Sequence, residues 1–186
     1  ITEVKDALKS ENCSFFNPSS IHTGGQKAKA ILENAREKVA ELVGANSSFR
    51  VVFTSGATEA NNHALWGACL SKEKPQESHI IISAVEHPCI IETVKKLERF
   101  GISYTKVLPG KEGFTAESFL KEIKPSTVLV SLMGANNETG KIYPVKEIAK
   151  TIKEQHPKVL FHSDCVQIFG KVDASIEDLG VDMISI

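Results

Sequence analysis

Apolar residues recur at three- and four-residue intervals between positions 23 and 43, and polar residues fill the positions between them. The apolar positions are Ala28, Ile31, Leu32, Ala35, Val39 and Leu42. This spacing places one apolar stripe along a helix, so it predicts an amphipathic helix over 23–43. Gly44 follows directly, and glycine is the residue that most often ends a helix.

After residue 50 the pattern changes to short apolar runs that alternate with amphipathic stretches. The runs predict strands at 50–54, 79–84, 102–107, 127–133, 159–164 and 181–186. The stretches predict helices at 57–70, 88–100, 115–123 and 144–155, with a turn near 175–180. Strands that alternate with helices form a mainly parallel sheet that is covered on both faces. The predicted fold class is therefore α/β, with a three-layer αβα arrangement.

Composition and charge exclude several classes of function. The chain has 186 residues, of which 22 are basic and 23 acidic, and its formal net charge is -1. Without a basic patch, no binding to nucleic acid or to a membrane surface is expected, so the expected partners are small molecules or proteins. No apolar run of bilayer length and no secretory signal pattern is found. The predicted location is cytoplasmic, with an organelle as the alternative.

Four cysteines are scattered along the chain without the CxxC spacing of a zinc site or the pattern of a disulfide framework. They are Cys13, Cys69, Cys89 and Cys165. The simplest interpretation is four small, buried side chains in a protein from a reducing compartment. No metal site is predicted.

Four polar clusters stand at or directly after the ends of predicted strands. They are SGATEANN at 55–62, VEHP at 85–88, NNETG at 136–140 and HSDCVQ at 162–167. In an open α/β sheet, ligands bind beyond the carboxyl ends of the strands. The four clusters are therefore expected to line one cleft.

Each cluster supports a ligand-binding interpretation and a plainer one. Backbone N–H groups at the turn 55–58 favour a phosphate, and a structural turn explains the same residues equally well. The Asp164 carboxylate can keep a ring nitrogen protonated, or it can cap the next helical turn. His87 can stack on a flat ring and exchange protons, or it can cap the following helix. The amides of Asn136 and Asn137 can bond a ring hydroxyl or satisfy their own turn.

Five segments together resemble the cysteine desulfurases and selenocysteine lyases, both in order and in spacing. They are FNPSSIHTGG (16–25), VFTSGATEANN (52–62), VEHP (85–88), SLMGANNETG (131–140) and HSDCVQIFGK (162–171). Five ordered motifs across nearly the whole chain are far more specific than any single one. The resemblance implies the large cofactor domain of a fold-type I pyridoxal-phosphate enzyme, related to the class-V aminotransferases. Residues 1–22 would be a lead-in segment, and residues 23–186 would be part of that domain.

The resemblance also implies roles for individual side chains toward pyridoxal 5'-phosphate. The residues implied to bind the cofactor are Ala57, Thr58, His87, Asn137, Asp164 and Gln167. Ala57 and Thr58 would hold the phosphate. His87 would stack over the pyridine ring and act in catalysis, and Asp164 would pair with the ring nitrogen. The two amide side chains would contact the side of the ring that carries the hydroxyl.

The implied reaction removes sulfur from L-cysteine and leaves alanine and a persulfide on an enzyme cysteine. The corresponding lyase reaction removes selenium from L-selenocysteine. In both, the cofactor supplies the carbanion chemistry and the protein supplies orientation and electrostatics. The implied partners are a second copy of the chain in a homodimer and a protein that accepts sulfur or selenium, in sulfur metabolism and iron–sulfur cluster assembly.

Some family features are not found in this sequence. In the family, the strand that corresponds to 181–186 leads into the lysine that binds the cofactor covalently, and this sequence stops at Ile186. The persulfide cysteine and the arginine for the substrate carboxylate also belong to that later portion, so we expect a fragment that is inactive alone. Cys165 stands where the family usually has a small residue, and we interpret it as packing. The alternatives are another pyridoxal-phosphate aminotransferase-like enzyme and a catalytically dead, protein-binding domain.

Overall fold

The computed structural model describes residues 16–172 and 174–186. The chain divides into two compact units, Ile1–Val52 and Phe53–Ile186. Cys13 lies outside the described residues, as does most of the predicted lead-in segment. No helix in the described ranges is long and apolar enough to cross a membrane. All four polar clusters belong to the second unit.

Helix α1, Thr23–Val43, forms most of the described part of the first unit. At its start, the His22 side chain accepts a hydrogen bond from the Gly25 N–H. At its end, Gly44 adopts a left-handed conformation with φ 66°, which glycine reaches readily because it has no Cβ. The helix predicted from the apolar spacing is confirmed, with the predicted terminator.

The strand predicted at 50–54 is wrong. Arg50 ends a short 3-10 turn, Ser48–Arg50, and residues 51–54 join no sheet among the described residues. β-Branched and aromatic residues favour a strand mainly because they pack against neighbouring strands. Here Val52 and Phe53 are 58% and 45% exposed, so the local preference is not supported by packing.

Within the described residues, the second unit contains a five-stranded sheet in which all neighbouring strands are parallel. The strands are β1 His79–Ser83, β2 Ser103–Val107, β3 Thr127–Ser131, β4 Leu160–Asp164 and β5 Met183–Ser185. Their order across the sheet is β2-β1-β3-β4-β5. The other five predicted strands are therefore confirmed, each shorter than predicted, and β5 has half the predicted length.

Helices cover both faces of this sheet. In the described part of the second unit they are α2 Ala57–Leu70, α3 Pro88–Glu98, α4 Ala116–Leu120, α5 Val145–Gln155 and α6 Ile176–Leu179, with a 3-10 turn at Pro75–Glu77. Ile80 and Ile82 belong to the core that includes α2 and α3, and Ile81 belongs to the core that includes α4 and α5. Successive strand side chains point to opposite faces, so one isoleucine run supplies both cores. The three-layer αβα prediction is confirmed.

Two fully buried histidines bridge neighbouring strands of the sheet. His79 on β1 is hydrogen-bonded to Thr127 Oγ1 on β3 at 2.8 Å and to Thr105 Oγ1 on β2 at 2.9 Å. His162 on β4 lies 3.0 Å from a serine hydroxyl on β3 and 3.0 Å from one on β5. Burial lowers the pKa of each histidine to about 4. Both rings are therefore neutral at physiological pH, and their hydrogen bonds join neighbouring strands of the sheet.

We expect Gly134→Ala to destabilise the protein by about 1 to 3 kcal/mol, the usual cost of overpacking a filled core. A Cβ at Gly134 would lie 2.9 Å from Ile168 Cγ1, closer than side chains normally pack. Urea unfolding of the full-length protein measures the change. Gly67→Ala, in the last turn of α2, is the control: its Cβ would meet only His63 at 4.0 Å, so it should stabilise by up to about 1 kcal/mol. Equal stability of Gly134→Ala and wild type would contradict close packing at Gly134.

Candidate active site

The turn before helix α2 presents a helix amino terminus without a side-chain cap. Gly56 has φ 158° and ψ 177°, and a Cβ at this position would have no neighbour within 4 Å. The first N–H groups of a helix lack intrahelical partners, so those of Ala57 and Thr58 are suited to an anion. The neighbouring Ser55 N–H is already bonded to the Glu59 carboxylate at 2.6 Å. The turn therefore offers an open anion site at Ala57 and Thr58.

The Asp164 carboxylate lies at the carboxyl end of β4 and is 5% exposed. Its Oδ1 accepts a hydrogen bond from the Val166 N–H at 3.1 Å, and its Oδ2 accepts one from Asn61 Nδ2 at 2.7 Å. No cationic side chain forms an ion pair with it among the described residues. A buried charge is costly unless it is paired. This carboxylate is thus bonded by neutral donors only and is suited to a cationic ligand.

Asn61 is a buried polar residue of α2 that was not predicted from the sequence. Its Nδ2 bonds Asp164 and lies 3.3 Å from Cys89 Sγ, whereas its Oδ1 has no hydrogen-bond partner among the described residues. Asn61, Leu65 and Ala68 recur at helical spacing and are all buried. The sequence signal that could have identified Asn61 is its helical spacing from the apolar residues Leu65 and Ala68, which places its amide on the buried face of α2.

His87 caps helix α3 through its side chain, as the plainer interpretation of this residue predicted. Its Nδ1 accepts a hydrogen bond from the Cys89 N–H at 3.2 Å. The bond requires a lone pair on Nδ1, so the ring carries its proton on Nε2. His87 is half-buried, and its Nε2 has no hydrogen-bond partner among the described residues. Capping therefore fixes the ring and leaves one nitrogen for a ligand.

Glu86 is a second buried polar residue that was not predicted. Its Oε1 accepts hydrogen bonds from Ser83 Oγ and from the Met133 N–H, both at 2.9 Å, and its Oε2 has no partner among the described residues. Burial is the largest cause that raises the pKa of Glu86, to about 8, and the charge of Asp164 adds to it. Glu86 is therefore mainly protonated at neutral pH, and it ties the loop after β1 to the end of β3. The sequence signal is an acid directly after a run of apolar residues.

The two asparagines of the NNETG loop are placed differently. Asn136 is half-buried, its Oδ1 accepts hydrogen bonds from the N–H groups of Glu138 and Thr139, and its Nδ2 donates to the Val85 carbonyl at 3.3 Å. Asn137 is exposed, and its side chain makes no hydrogen bond with the described residues. Asn136 thus builds the turn, and Asn137 is the amide left for a ligand.

Two further residues follow Asp164 in the loop after β4. Gln167 is half-buried, and its Oε1 accepts a hydrogen bond from Lys171 Nζ at 3.3 Å. Cys165 is fully buried, and burial raises the pKa of its thiol to about 11. Such a thiol is unreactive at neutral pH, so the position of Cys165 agrees with a packing role.

Hydrogen bonds link the polar clusters in pairs near the carboxyl ends of β1, β3 and β4. Asn61 connects the first cluster to the fourth through Asp164, and it also lies 3.3 Å from Cys89, the residue that directly follows the second cluster. The Asn136 side chain connects the third cluster to the second at Val85. These contacts bring the clusters near one another, whereas a single cleft lined by all four stays a prediction. The remaining motif, 16–25, lies in the first unit.

This arrangement combines an anion site with a buried carboxylate nearby. Ala57 and Asn61 are four residues apart on α2, which is about 6 Å along the helix axis. A ligand with a phosphate at one end and a cationic nitrogen elsewhere would meet a complementary group at each.

Residues 2–186 match the family model described as Aminotransferase class-V. The chain belongs to this family. The match includes both units and all five motifs.

Several curated relatives of this class-V chain are named cysteine desulfurases. Cysteine desulfurase IscS of Dictyoglomus turgidum is 41% identical over 186 residues, which cover 99% of this chain and 46% of the relative. A structure named SspA in complex with cysteine has a TM-score of 0.86 and 33% identity, and the match covers 99% of this chain and 52% of that one. A C-DES mutant with glycine covalently linked to its PLP cofactor has a TM-score of 0.77 and 25% identity, and the match covers 99% of this chain and 46% of that one.

The class-V chain spans about half the length of the curated relatives it matches. The predicted resemblance to cysteine desulfurases is confirmed by these relatives. The fold class is confirmed as well, because the parallel sheet with helices on both faces matches the related structures.

Proposed function

We propose that this chain forms the pyridoxal-phosphate-binding part of a cysteine desulfurase. The observation that carries the proposal is the buried Asp164 carboxylate, which is bonded by neutral donors and lies near the uncapped start of α2. A protonated pyridine nitrogen is a cation that such a carboxylate stabilises, and a phosphate is an anion that a helix start binds. Both ends of the cofactor therefore fit the residues present.

The phosphate would be held by the N–H groups of Ala57 and Thr58 and by the Thr58 hydroxyl. Asp164 would keep the ring nitrogen protonated, since an adjacent opposite charge shifts a pKa by roughly 1 to 3 units. Because its raised pKa keeps Glu86 largely protonated near pH 7, Asp164 faces no second full negative charge there. The site would then carry one buried carboxylate charge, matched to one cationic nitrogen.

The remaining predicted residues would orient the ring and move protons. His87 would stack against the ring, and its Nε2 would exchange a proton with the substrate, because Nδ1 is occupied by the Cys89 N–H. The Asn137 amide makes no hydrogen bond with the described residues, so it would be available to bond the ring hydroxyl. Gln167 would use its NH₂ group as a donor, because its Oε1 already accepts from Lys171.

When bound, pyridoxal phosphate supplies the electron sink for carbanion chemistry at the substrate. We propose L-cysteine as the substrate, supported by the names of the relatives and by the related structure named with cysteine. The proposed products are alanine and an enzyme persulfide, and L-selenocysteine is the second proposed substrate. Residues 23–186 would form part of the cofactor domain, preceded by the lead-in 1–22. This chain alone is proposed to be inactive.

The proposed partners are a second copy of the chain in a homodimer and a protein that accepts the sulfur or selenium atom. The relative from Dictyoglomus turgidum is named cysteine desulfurase IscS. We propose that this protein acts in sulfur metabolism and iron–sulfur cluster assembly. We propose the cytoplasm as the compartment, with an organelle as the alternative. Free cysteines at positions 69, 89 and 165 support a reducing environment.

The full-length protein with added pyridoxal phosphate is expected to release alanine from L-cysteine and to form a protein persulfide. Chromatography of alanine and a persulfide-specific label measure the two products, with L-selenocysteine tested in parallel. Amino transfer to a keto acid without alanine formation would favour an aminotransferase instead. A full-length protein that neither binds the cofactor nor acts on these amino acids would overturn the proposal and favour the protein-binding domain.

A further inference from the structure

The Asn61 amide lies between the body of helix α2 and the end of strand β4. It is 1% exposed, and its Nδ2 is 2.7 Å from Asp164 Oδ2. The two residues are 103 positions apart in the sequence, so only the packing of α2 against the sheet brings them together. The same Nδ2 lies 3.3 Å from Cys89 Sγ, a weaker acceptor.

We propose that Asn61 is a positioning residue that holds the Asp164 carboxylate in the orientation that pairs with the ring nitrogen of the cofactor. This inference rests on the proposed function, because the orientation matters only if a cationic nitrogen binds there. Asn61 acts through Asp164 and need not touch the cofactor itself.

The hydrogen bonds of the carboxylate support this role. Each carboxylate oxygen has two lone pairs. Asp164 Oδ1 uses one for the Val166 N–H in its own loop, and Oδ2 uses one for Asn61 on a different element. One bond at each oxygen restricts rotation of the side chain. A lone pair then remains on each oxygen for a ligand.

The amide is not explained by folding alone. Its Oδ1 is buried and has no hydrogen-bond partner among the described residues, and an unpaired buried acceptor destabilises a fold. Sequences accept such local costs mainly at functional sites. The bond to Asp164 is the shorter of the two that Nδ2 makes, and it is charge-assisted, so it best explains an amide at position 61.

Helix α2 also links the two ends of the proposed cofactor site. Ala57 lies in the first turn, where the phosphate would bind, and Asn61 lies one turn later. A rigid helix therefore fixes the carboxylate relative to the phosphate. The hydrogen bond from Asn61 to Asp164 joins the carboxylate to α2 and so fixes its position relative to that helix.

A double-mutant cycle in the full-length apoprotein tests the inference through pyridoxal-phosphate binding, followed by absorbance. Asn61→Leu keeps most of the volume and removes the donor, and Asp164→Asn removes the charge. Asn61→Leu is expected to weaken binding about tenfold, the effect of one charge-assisted hydrogen bond. It is also expected to shift the spectrum of the bound cofactor toward that of the unprotonated ring. In the Asp164→Asn background it should have no further effect, because both changes act on one interaction.

Thr93→Val is the matched control. The Thr93 side chain on α3 is also buried and polar, and it donates a hydrogen bond to the Asn62 amide oxygen. It makes no hydrogen bond to Asp164 among the described residues. This variant is expected to leave the spectrum of the bound cofactor unchanged. If Asn61→Leu does not fold, as judged by thermal unfolding, Asn61→Ala takes its place in the cycle.

The outcomes separate this inference from the proposed function. Weakened binding in Asp164→Asn together with unchanged binding in Asn61→Leu would overturn the role of Asn61 and leave the function standing. Strictly additive effects would do the same. Unchanged binding in Asp164→Asn would overturn both, because Asp164 would then not pair with the cofactor.

Discussion

Replacing Asp164 with asparagine in the full-length protein is expected to lower the proposed desulfurase turnover by about 10- to 1000-fold and to leave the fold intact. A carboxylate beside a ring nitrogen shifts the pKa of that nitrogen by roughly 1 to 3 units, and one unit is about 1.4 kcal/mol, or a factor of ten in rate. Asparagine has nearly the same shape and no charge, so the proton on the ring is no longer stabilised. Steady-state release of alanine measures the effect.

Asp178→Asn is a suitable control for this substitution. Asp178 is exposed and pairs with Lys146 at 2.6 Å, and such a surface ion pair contributes less than about 1 kcal/mol. Its removal should leave turnover unchanged. Thermal unfolding of both variants checks that each is folded. Wild-type turnover in a folded Asp164→Asn protein would rule out the proposed pairing with the ring nitrogen.

The second large effect is expected for Glu86→Gln, in the pH dependence of stability. Glutamine keeps the shape of the side chain and cannot ionise. We expect the variant to be about as stable as wild type near pH 4.5 and more stable by a few kcal/mol near pH 8. Urea unfolding of the cofactor-free full-length protein at several pH values between these limits measures the difference.

The sign follows from the proton balance of Glu86. Its pKa is raised from an ordinary value near 4.5 to about 8, mainly by burial and also by the charge of Asp164. Between these values the unfolded chain releases the proton and the folded protein retains it, so wild-type stability falls as pH rises toward 8. One pKa unit corresponds to about 1.4 kcal/mol, which makes the total a few kcal/mol. The titratable groups that sense Glu86 are Asp164 and Tyr143, and both remain in the variant.

The buried histidines give wild-type stability an opposite slope at lower pH. The pKa values of His79 and His162 are lowered to about 4, so stability rises as pH increases from 4 to about 6.5. Both histidines are present in Glu86→Gln, and their contribution cancels in the comparison with wild type. Glu117→Gln, at an exposed position on α4, is the control and should follow the wild-type curve. Identical pH profiles for wild type and Glu86→Gln would show that Glu86 ionises normally in the folded protein.

Local sequence pattern was sufficient for most of the secondary structure. The helix Thr23–Val43 and the strand His79–Ser83 were predicted because their apolar spacing and terminating residues are properties of short segments. The segment 50–54 has the same kind of pattern and forms no strand. A strand needs a partner, and the presence of a partner is not a local property.

The candidate site was predicted less completely, because several of its interactions join distant residues. Asp164 and His87 were recognised from motifs, whereas Asn61 and Glu86 were not. Asn61 bonds a residue 103 positions away, and Glu86 bonds Met133, 47 positions away. The family resemblance implied which residues meet a cofactor, and it did not identify the residues that hold those side chains in place.

Apart from segment 50–54, the sequence by itself determined the order of strands and helices along the chain, the fold class and the family, because periodicity, turn residues and motifs are properties of local sequence. Tertiary structure alone decided that Asn136 bonds the distant Val85 carbonyl while Asn137 stays exposed. It also decided that Glu86 is buried with a raised pKa and that Asn61 bonds Asp164. Burial, charge environment and long-range hydrogen bonds depend on which elements pack together, and that packing brings residues from distant parts of the chain into contact.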